Sequence, residues 1–211
     1  MSIEAVYDAV LNGDAKKAAS ATEAALAAKV PAEEILHKAC IPAMAEVGRQ
    51  FEAGEKFVPE MLISARAMQA AMNVLRPILV QQDIKPLGTV VIGTVSGDLH
   101  DIGKNLVKMM MEGAGFNVID LGVDVSPQKF VDTARTNNAQ IVAMSALLTT
   151  TMPGMKTTID ALKEAGLHGK IKVMIGGAPI TQDFADEIGA DGFAPDASSA
   201  TRKAKQLLGV A

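Results

Sequence analysis

Apolar residues recur at helical spacing through the first 82 residues. The pattern is clear in IEAVYDAVL, AASATEAALAAKV, EEILHKACIPAMAEVGRQF and EMLISARAMQAAMNVLRPILV. Four amphipathic helices with short connections predict an antiparallel four-helix bundle over residues 1–82. The punctuation agrees. Asn12-Gly13-Asp14 closes one helix and opens the next, Pro31 and Pro59 fall where a first-turn proline is tolerated, and Gly54 suits a helix end. Pro42 and Pro77 fall inside the third and fourth helices, where kinks are expected.

QQDIKPLG, residues 81–88, breaks that period, and a linker is expected over 83–88. Beyond it the pattern changes to short β-rich apolar runs: TVVIGTV, NVIDLGV, QIVAMSAL, KVMIGG and a weaker DGFA at 191–194. Stretches of helical length separate them. Continuous apolar strands alternating with helices predict a parallel sheet covered on both faces. Residues 89–211 therefore read as a doubly wound, flavodoxin-like (Rossmann-like) α/β domain with five strands. In the strand order 2-1-3-4-5, strands 1 and 3 are neighbours at the switch point, and ligands bind beyond their carboxyl ends. SGDLHDIG after strand 1 should then face SALLTTTMPG after strand 3.

Composition narrows the function. Of 211 residues 49% are apolar and the net charge is −4, so no basic surface for nucleic acid or an anionic membrane is expected. With aromatics at 3%, no base-stacking platform is expected either. One cysteine, Cys40, excludes an internal disulfide, a thiolate zinc site and a cysteine-ligated cluster, and it reads as a small buried hydrophobe. MSIEAVYDAVLNGDAKK lacks a signal-peptide pattern, and no apolar run is long enough to span a bilayer. A cytoplasmic protein is expected.

The chemistry concentrates in GTVSGDLHDIGKN, residues 93–105, which holds one of three histidines. Gly97 and Gly103 fit neither G-x-G-x-x-G nor a Walker A loop, although Asp120 at the end of strand 2 leaves an acid on a ribose conceivable. A phosphoacceptor domain would need an acid after strand 3, where MSAL stands. A hydrolase built on Ser145, His100 and Asp98 lacks the G-x-S-x-G elbow. Metal ligation fits better. A ligand histidine needs its second nitrogen held by a carboxylate, Asp98 is two residues away, and a hydroxyl from Ser145, Thr149, Thr150 or Thr151 can hold that carboxylate. With no second histidine or cysteine near in sequence, one protein ligand suffices only where a macrocycle supplies the rest. Otherwise Asp98 caps a helix and His100 lines it.

Asp98-Leu99-His100-Asp101-Ile102-Gly103 resembles the D-x-H-x-x-G signature of cobalamin-binding domains. Ser145-Ala146-Leu147 is similar to the family's S-x-L element, and Gly176-Gly177-Ala178 to its Gly-Gly after strand 4. EAGEKFVPEMLISARAM resembles the helical cap preceding this domain in cobalamin-dependent methionine synthase and in the small corrinoid proteins of methyltransferase systems. The resemblance implies a cobalamin or related corrinoid, with His100 as lower axial ligand to cobalt and Asp98 accepting its other N–H. Thr151 stands where methionine synthase has a serine, and Thr150 replaces the family's preceding proline. Leu99, Asp101, Ile102, Gly103, Ser145, Leu147, Thr149, Gly176 and Gly177 would line the corrinoid site, and small residues at strand ends agree with close approach of a ligand. Of Phe57, Val58, Met61 and Leu62, which the resemblance places over the upper corrin face, Phe57 is expected to shield the cobalt. Met109-Met110-Met111 reads as core.

The same resemblance implies a methyl carrier between a substrate methyltransferase and an acceptor-side methyltransferase, served by a reductive activase, with the linker as a hinge for the cap. It is not expected to be catalytic alone. A cobalamin-binding subunit of an adenosylcobalamin mutase would not need the cap, and a cobalamin light sensor would bring a DNA-binding domain. Outside corrinoids, a flavodoxin-like module for FMN or a nucleotide would offer phosphate donors where this turn offers aspartates.

Overall fold

The computed structural model describes residues 3–82 and 84–210. Met1, Ser2 and Ala211 from the expected domains, and Asp83 from the expected linker, lie outside the described residues. The chain divides into two compact units, one running to Lys85 and including Gly113–Gly115, the other made of Pro86–Glu112 and the residues from Phe116 onward.

The first unit is helical: α1 (Ile3–Leu11), α2 (Ala15–Ala27), α3 (Ala32–Ile35), a π-helical turn (Leu36–Cys40), α4 (Ile41–Glu52) and α5 (Val58–Gln81). Asp14 caps α2, its carboxylate accepting from the Lys17 amide at 2.9 Å. The buried face of α2 is Ala18, Ala21, Thr22 and Ala25, small residues that let α5 pack closely against it. The Ser64 hydroxyl of α5 donates to the Leu11 carbonyl at 3.1 Å, satisfying an orphan acceptor at the end of α1.

Proline acts differently at the two interior sites. Before Pro42 the helix widens into the π turn, in which the Ile41 amide reaches back to the Leu36 carbonyl. A proline donates no N–H and its ring crowds the preceding turn, so the extra residue relieves both defects. At the second site α5 continues through Pro77 to Gln81. Cys40 is fully buried in the π turn, and burial pushes its thiol up to about 12. It is an apolar filler with negligible thiolate.

The second unit contains β1 (Thr89–Thr94), α6 (Ile102–Gly113), β2 (Asn117–Asp120), α7 (Pro127–Thr136), β3 (Ile141–Ser145), α8 (Pro153–Glu164), β4 (Lys172–Gly176), α9 (Gln182–Ile188), β5 (Gly192–Phe193) and α10 (Ala197–Leu208). The sheet is all parallel in the order β2-β1-β3-β4-β5. Val91, Val142, Met144 and Val173 join Phe130 of α7 and Ile159 of α8 in one core. Neighbouring strand residues Val90, Ile92 and Ile141 are equally buried. Burial of successive residues on opposite faces is why these strands read as unbroken apolar runs. Met110 and Met111 are buried as expected for core.

Candidate functional site

Strand register positions the site. Thr94 is paired with Ser145 and Ser145 with Gly176, so the last residues of β1, β3 and β4 form one row. The loops after these strands leave the sheet side by side at its carboxyl edge, where an open α/β sheet receives ligands.

The loop after β1 turns tightly. The Asp98 amide donates to the Val95 carbonyl at 3.1 Å, and the Thr94 hydroxyl donates to the His100 carbonyl at 2.8 Å. Asp98 is completely buried and every acceptor site on its carboxylate is matched by a donor. Oδ1 accepts from the His100 amide at 3.1 Å and stands 2.7 Å from His100 Nδ1. Oδ2 accepts from the Leu147 amide at 2.7 Å, the Leu148 amide at 3.4 Å and the Thr151 hydroxyl at 2.7 Å. The Leu148 carbonyl stands 2.9 Å from that hydroxyl, which has one proton and gives it to the charged acceptor.

Burial alone would push the Asp98 carboxyl up. The Leu147 amide, the Thr151 hydroxyl, and the amide and ring of His100 outweigh it and hold Asp98 well below the usual carboxylate range. An ionised carboxylate only accepts, which assigns the His100 proton to Nδ1 and the free lone pair to Nε2. The His100 side chain is 49% exposed. The arrangement therefore presents one basic imidazole nitrogen in a fixed orientation at the mouth of the crevice. Among the described residues no group of three or more His, Cys, Asp or Glu side chains could hold a metal ion. One nitrogen is what the protein offers.

The same end of the sheet carries exposed aliphatic side chains. Leu99 is 72% exposed and Ile102 75%, and Leu147 and Leu148 are also open to solvent. Three exposed aliphatic side chains on these two loops, with Ile102 at the head of α6, are unusual for turns and mark a surface that takes an apolar ligand. Gly103, exposed in the first turn of α6, would have nothing within 4 Å of an added Cβ. No internal contact requires glycine there. Gly177 is the opposite case. Its φ is +137°, and an added Cβ would stand 1.8 Å from the Ala146 carbonyl oxygen. Close approach of the β3 and β4 loops explains that glycine without any ligand. At Gly176 a Cβ would meet the Ala194 carbonyl at 3.1 Å.

Of the residues expected at the site, Asp98, His100, Leu147 and Thr151 are joined by hydrogen bonds. Leu99, Asp101, Ile102 and Gly103 follow in the same turn and the start of α6, where the Asp101 carboxylate accepts from the Asn105 side-chain amide at 3.0 Å. Among the four candidate hydroxyls Asp98 takes that of Thr151, while Thr149 is exposed in the same turn and Ser145 closes β3. Phe57 belongs to the helical unit, where it precedes α5 as an aromatic 65% exposed; Met61 is buried there as bundle core.

The alternatives meet specific obstacles. The donors that would cradle a phosphate after β3 are spent on Asp98. Asp120 is engaged by Lys104 Nζ at 2.6 Å, Lys108 Nζ at 3.3 Å and the Gly122 amide at 2.9 Å, which leaves it poorly placed to read a ribose. Three participants were not singled out in the sequence. Thr94 looks like any strand-end β-branched residue. Leu148 carried a signal, standing with Leu147 as an exposed aliphatic pair ahead of Thr149–Thr151. Asp124, whose carboxylate accepts from the Gly97 amide at 2.7 Å, lies in a different loop with no periodic pattern around it.

Comparisons with known proteins show the family. Residues 88–203 match a family described as "B12 binding domain", and residues 2–76 match a second family of the same description. Trimethylamine corrinoid protein 1 of Methanosarcina acetivorans is 45% identical over 203 residues, covering 95% of this chain and 94% of that protein. The crystal structure of a novel cobalamin-binding protein from Desulfitobacterium hafniense superposes with a TM-score of 0.81 at 34% identity, covering 98% of both chains. A chain of the methanol:cobalamin methyltransferase complex MtaBC from Methanosarcina barkeri gives a TM-score of 0.87 at 28% identity, covering 98% of this chain and 79% of that one.

Proposed function

From the premise that this chain belongs to the family of B12-binding corrinoid proteins, we propose that it carries a methyl group on a bound corrinoid within a methyltransferase system. The observation that carries the proposal is the single oriented imidazole nitrogen, held by a saturated carboxylate amid exposed aliphatic side chains. The residues fit a corrinoid. Its macrocycle would supply the metal ligands that the protein lacks, Nε2 of His100 would supply the one the protein offers, and Leu99, Ile102, Leu147 and Leu148 would give the ring apolar contacts. When bound, the cobalt supplies the centre that takes up and gives away methyl.

The chain's own residues do the rest. Asp98 holds Nδ1–H and fixes the tautomer, and Thr151 with the Leu147 amide holds Asp98. With its acceptor sites filled and its acidity enhanced, Asp98 is a poor proton acceptor. Nδ1–H therefore stays with Asp98, and Nε2 is the ring atom that would hold the metal. The helical unit, residues 1–82, would serve as a cap, and Phe57, exposed on it, is the aromatic it has to offer a ligand. A methylamine is the donor class favoured by the name of the Methanosarcina acetivorans relative. The partners are a donor methyltransferase, an acceptor-side methyltransferase and a reductive activase. The setting is cytoplasmic; among the described residues no helix is long and apolar enough to cross a membrane.

Incubation with hydroxocobalamin tests the class. A corrinoid absorption band that travels with the protein through gel filtration is expected. Quantitative loss of the band on the column contradicts corrinoid binding. Gly103 gives a second test. Gly103→Ala adds a methyl group to open space on a helix, so the apo-protein gains about 0.5 kcal/mol in denaturant unfolding. The same methyl group intrudes on the ligand, and hydroxocobalamin affinity measured by absorbance titration falls about tenfold, or ~1.4 kcal/mol. Unchanged affinity would remove Gly103 from the site.

A further inference from the structure

We propose that Asp124 is a positioning residue for the axial histidine, acting through the backbone of the turn that carries Asp98. It stands in the loop between β2 and α7, is exposed, and has the left-handed φ of +53° that only glycine, asparagine and aspartate adopt readily. Core packing does not require it. Its contacts converge on the histidine turn. Oδ1 accepts from the Gly97 amide at 2.7 Å and from the Ser96 hydroxyl at 3.2 Å, while its own amide donates to the Asp98 carbonyl at 3.0 Å. The next residue, Val125, bridges Val95, and its amide donates to the Thr94 carbonyl at 2.9 Å.

Ser96, Gly97 and Asp98 are thus held in succession by one residue of a third loop. Gly97 has φ +82° and no side chain to restrain it, so its amide hydrogen bond to Asp124 adds to the Asp98–Val95 turn bond in limiting its rotation. The Asp98 main chain is fixed by Asp124 and its carboxylate by Leu147 and Thr151. Two anchors from two loops set the direction from which Oδ1 meets His100 Nδ1. Loosening the first lets the carboxylate rotate relative to the ring even though every group that touches the ring is still present.

The proposal rests on the corrinoid reading of His100, and its test separates the two. Asp124→Gly keeps the left-handed backbone and deletes the acceptor. Asp124→Asn keeps both the backbone preference and an acceptor oxygen. Nitrogen NMR of the histidine rings in the full-length apo-protein reports the tautomer. The wild type and Asp124→Asn should show His100 protonated on Nδ1 alone, whereas Asp124→Gly should show a mixture with the Nε2–H form. Hydroxocobalamin affinity should fall about tenfold in Asp124→Gly and hold in Asp124→Asn, at the low end for residues that orient a metal ligand. A wild-type tautomer in a folded Asp124→Gly variant overturns the proposal. Should that variant not fold, amide exchange of the wild type decides: a Gly97 amide protected alongside that of His100 supports the clamp, and a freely exchanging one overturns it. Absence of hydroxocobalamin binding by the wild type would defeat the corrinoid reading and leave the tautomer comparison standing.

Discussion

The His100→Gly variant should fold, retain the corrinoid more weakly, and lose the spectrum of histidine-coordinated Co(III). The two effects separate because the side chain does little for the fold. It is half exposed, and its loss removes one hydrogen bond to Asp98 while the amide of residue 100 and the Leu147 and Thr151 donors remain. The stability cost is about 1 kcal/mol by chemical denaturation. The ligand effect is complete, because among the described residues no group of three or more His, Cys, Asp or Glu side chains could hold the metal in its place. Free imidazole added to the loaded variant should enter the space left behind and restore the absorption bands. A wild-type spectrum in His100→Gly would show that cobalt takes no ligand from this residue.

Asp98→Ala has the larger effect on the apo-protein. The substitution leaves the Leu147 and His100 amides facing a buried space without an acceptor, while the Thr151 hydroxyl turns to the Leu148 carbonyl. Each unsatisfied buried donor costs about 1–3 kcal/mol, and with partial entry of water the total is about 4 kcal/mol in equilibrium unfolding near neutral pH. Asp98→Asn is not conservative either, since its amide nitrogen would meet donors on whichever side it turned. Acid supplies an independent check. The donors hold the folded Asp98 pKa below its unfolded value of about 3.9. The stabilisation is therefore fully present above that value and is lost as pH falls through the folded pKa. The stability gap between wild type and Asp98→Ala should be widest at neutral pH and narrow below about pH 4. A gap that is constant from neutral to acid pH would mean that the carboxylate is not ionised in the native state.

The architecture was legible because its rules are topological. Buried parallel strands leave unbroken apolar runs, and the strand order brings the loops after β1 and β3 together whatever their sequences. The pairing of Asp98 with His100 was legible because a two-residue spacing in a turn keeps both side chains in reach. The hydroxyl was not, since Ser145 and Thr149–Thr151 all lie in one short turn. The choice depends on how the backbone curls to aim the Leu147 and Leu148 amides at Asp98. Gly177 read as room for a ligand, whereas its immediate cause is the Ala146 carbonyl. Asp124 left no trace because it acts through main-chain groups of residues distant in sequence. At Pro42 the pattern located the disturbance, but only the backbone shows it resolved as a π turn.

Axial ligation by His100 is tested most directly by electron paramagnetic resonance of the protein loaded with cobinamide, a corrinoid without a lower base, and reduced to Co(II). Any axial nitrogen then comes from the protein. Coupling to one nitrogen should split the cobalt lines into triplets, and protein grown with 15N-histidine should convert the triplets to doublets. Cobalt lines without nitrogen splitting, or triplets unchanged by the label, would contradict the assignment of His100 Nε2 as the ligand.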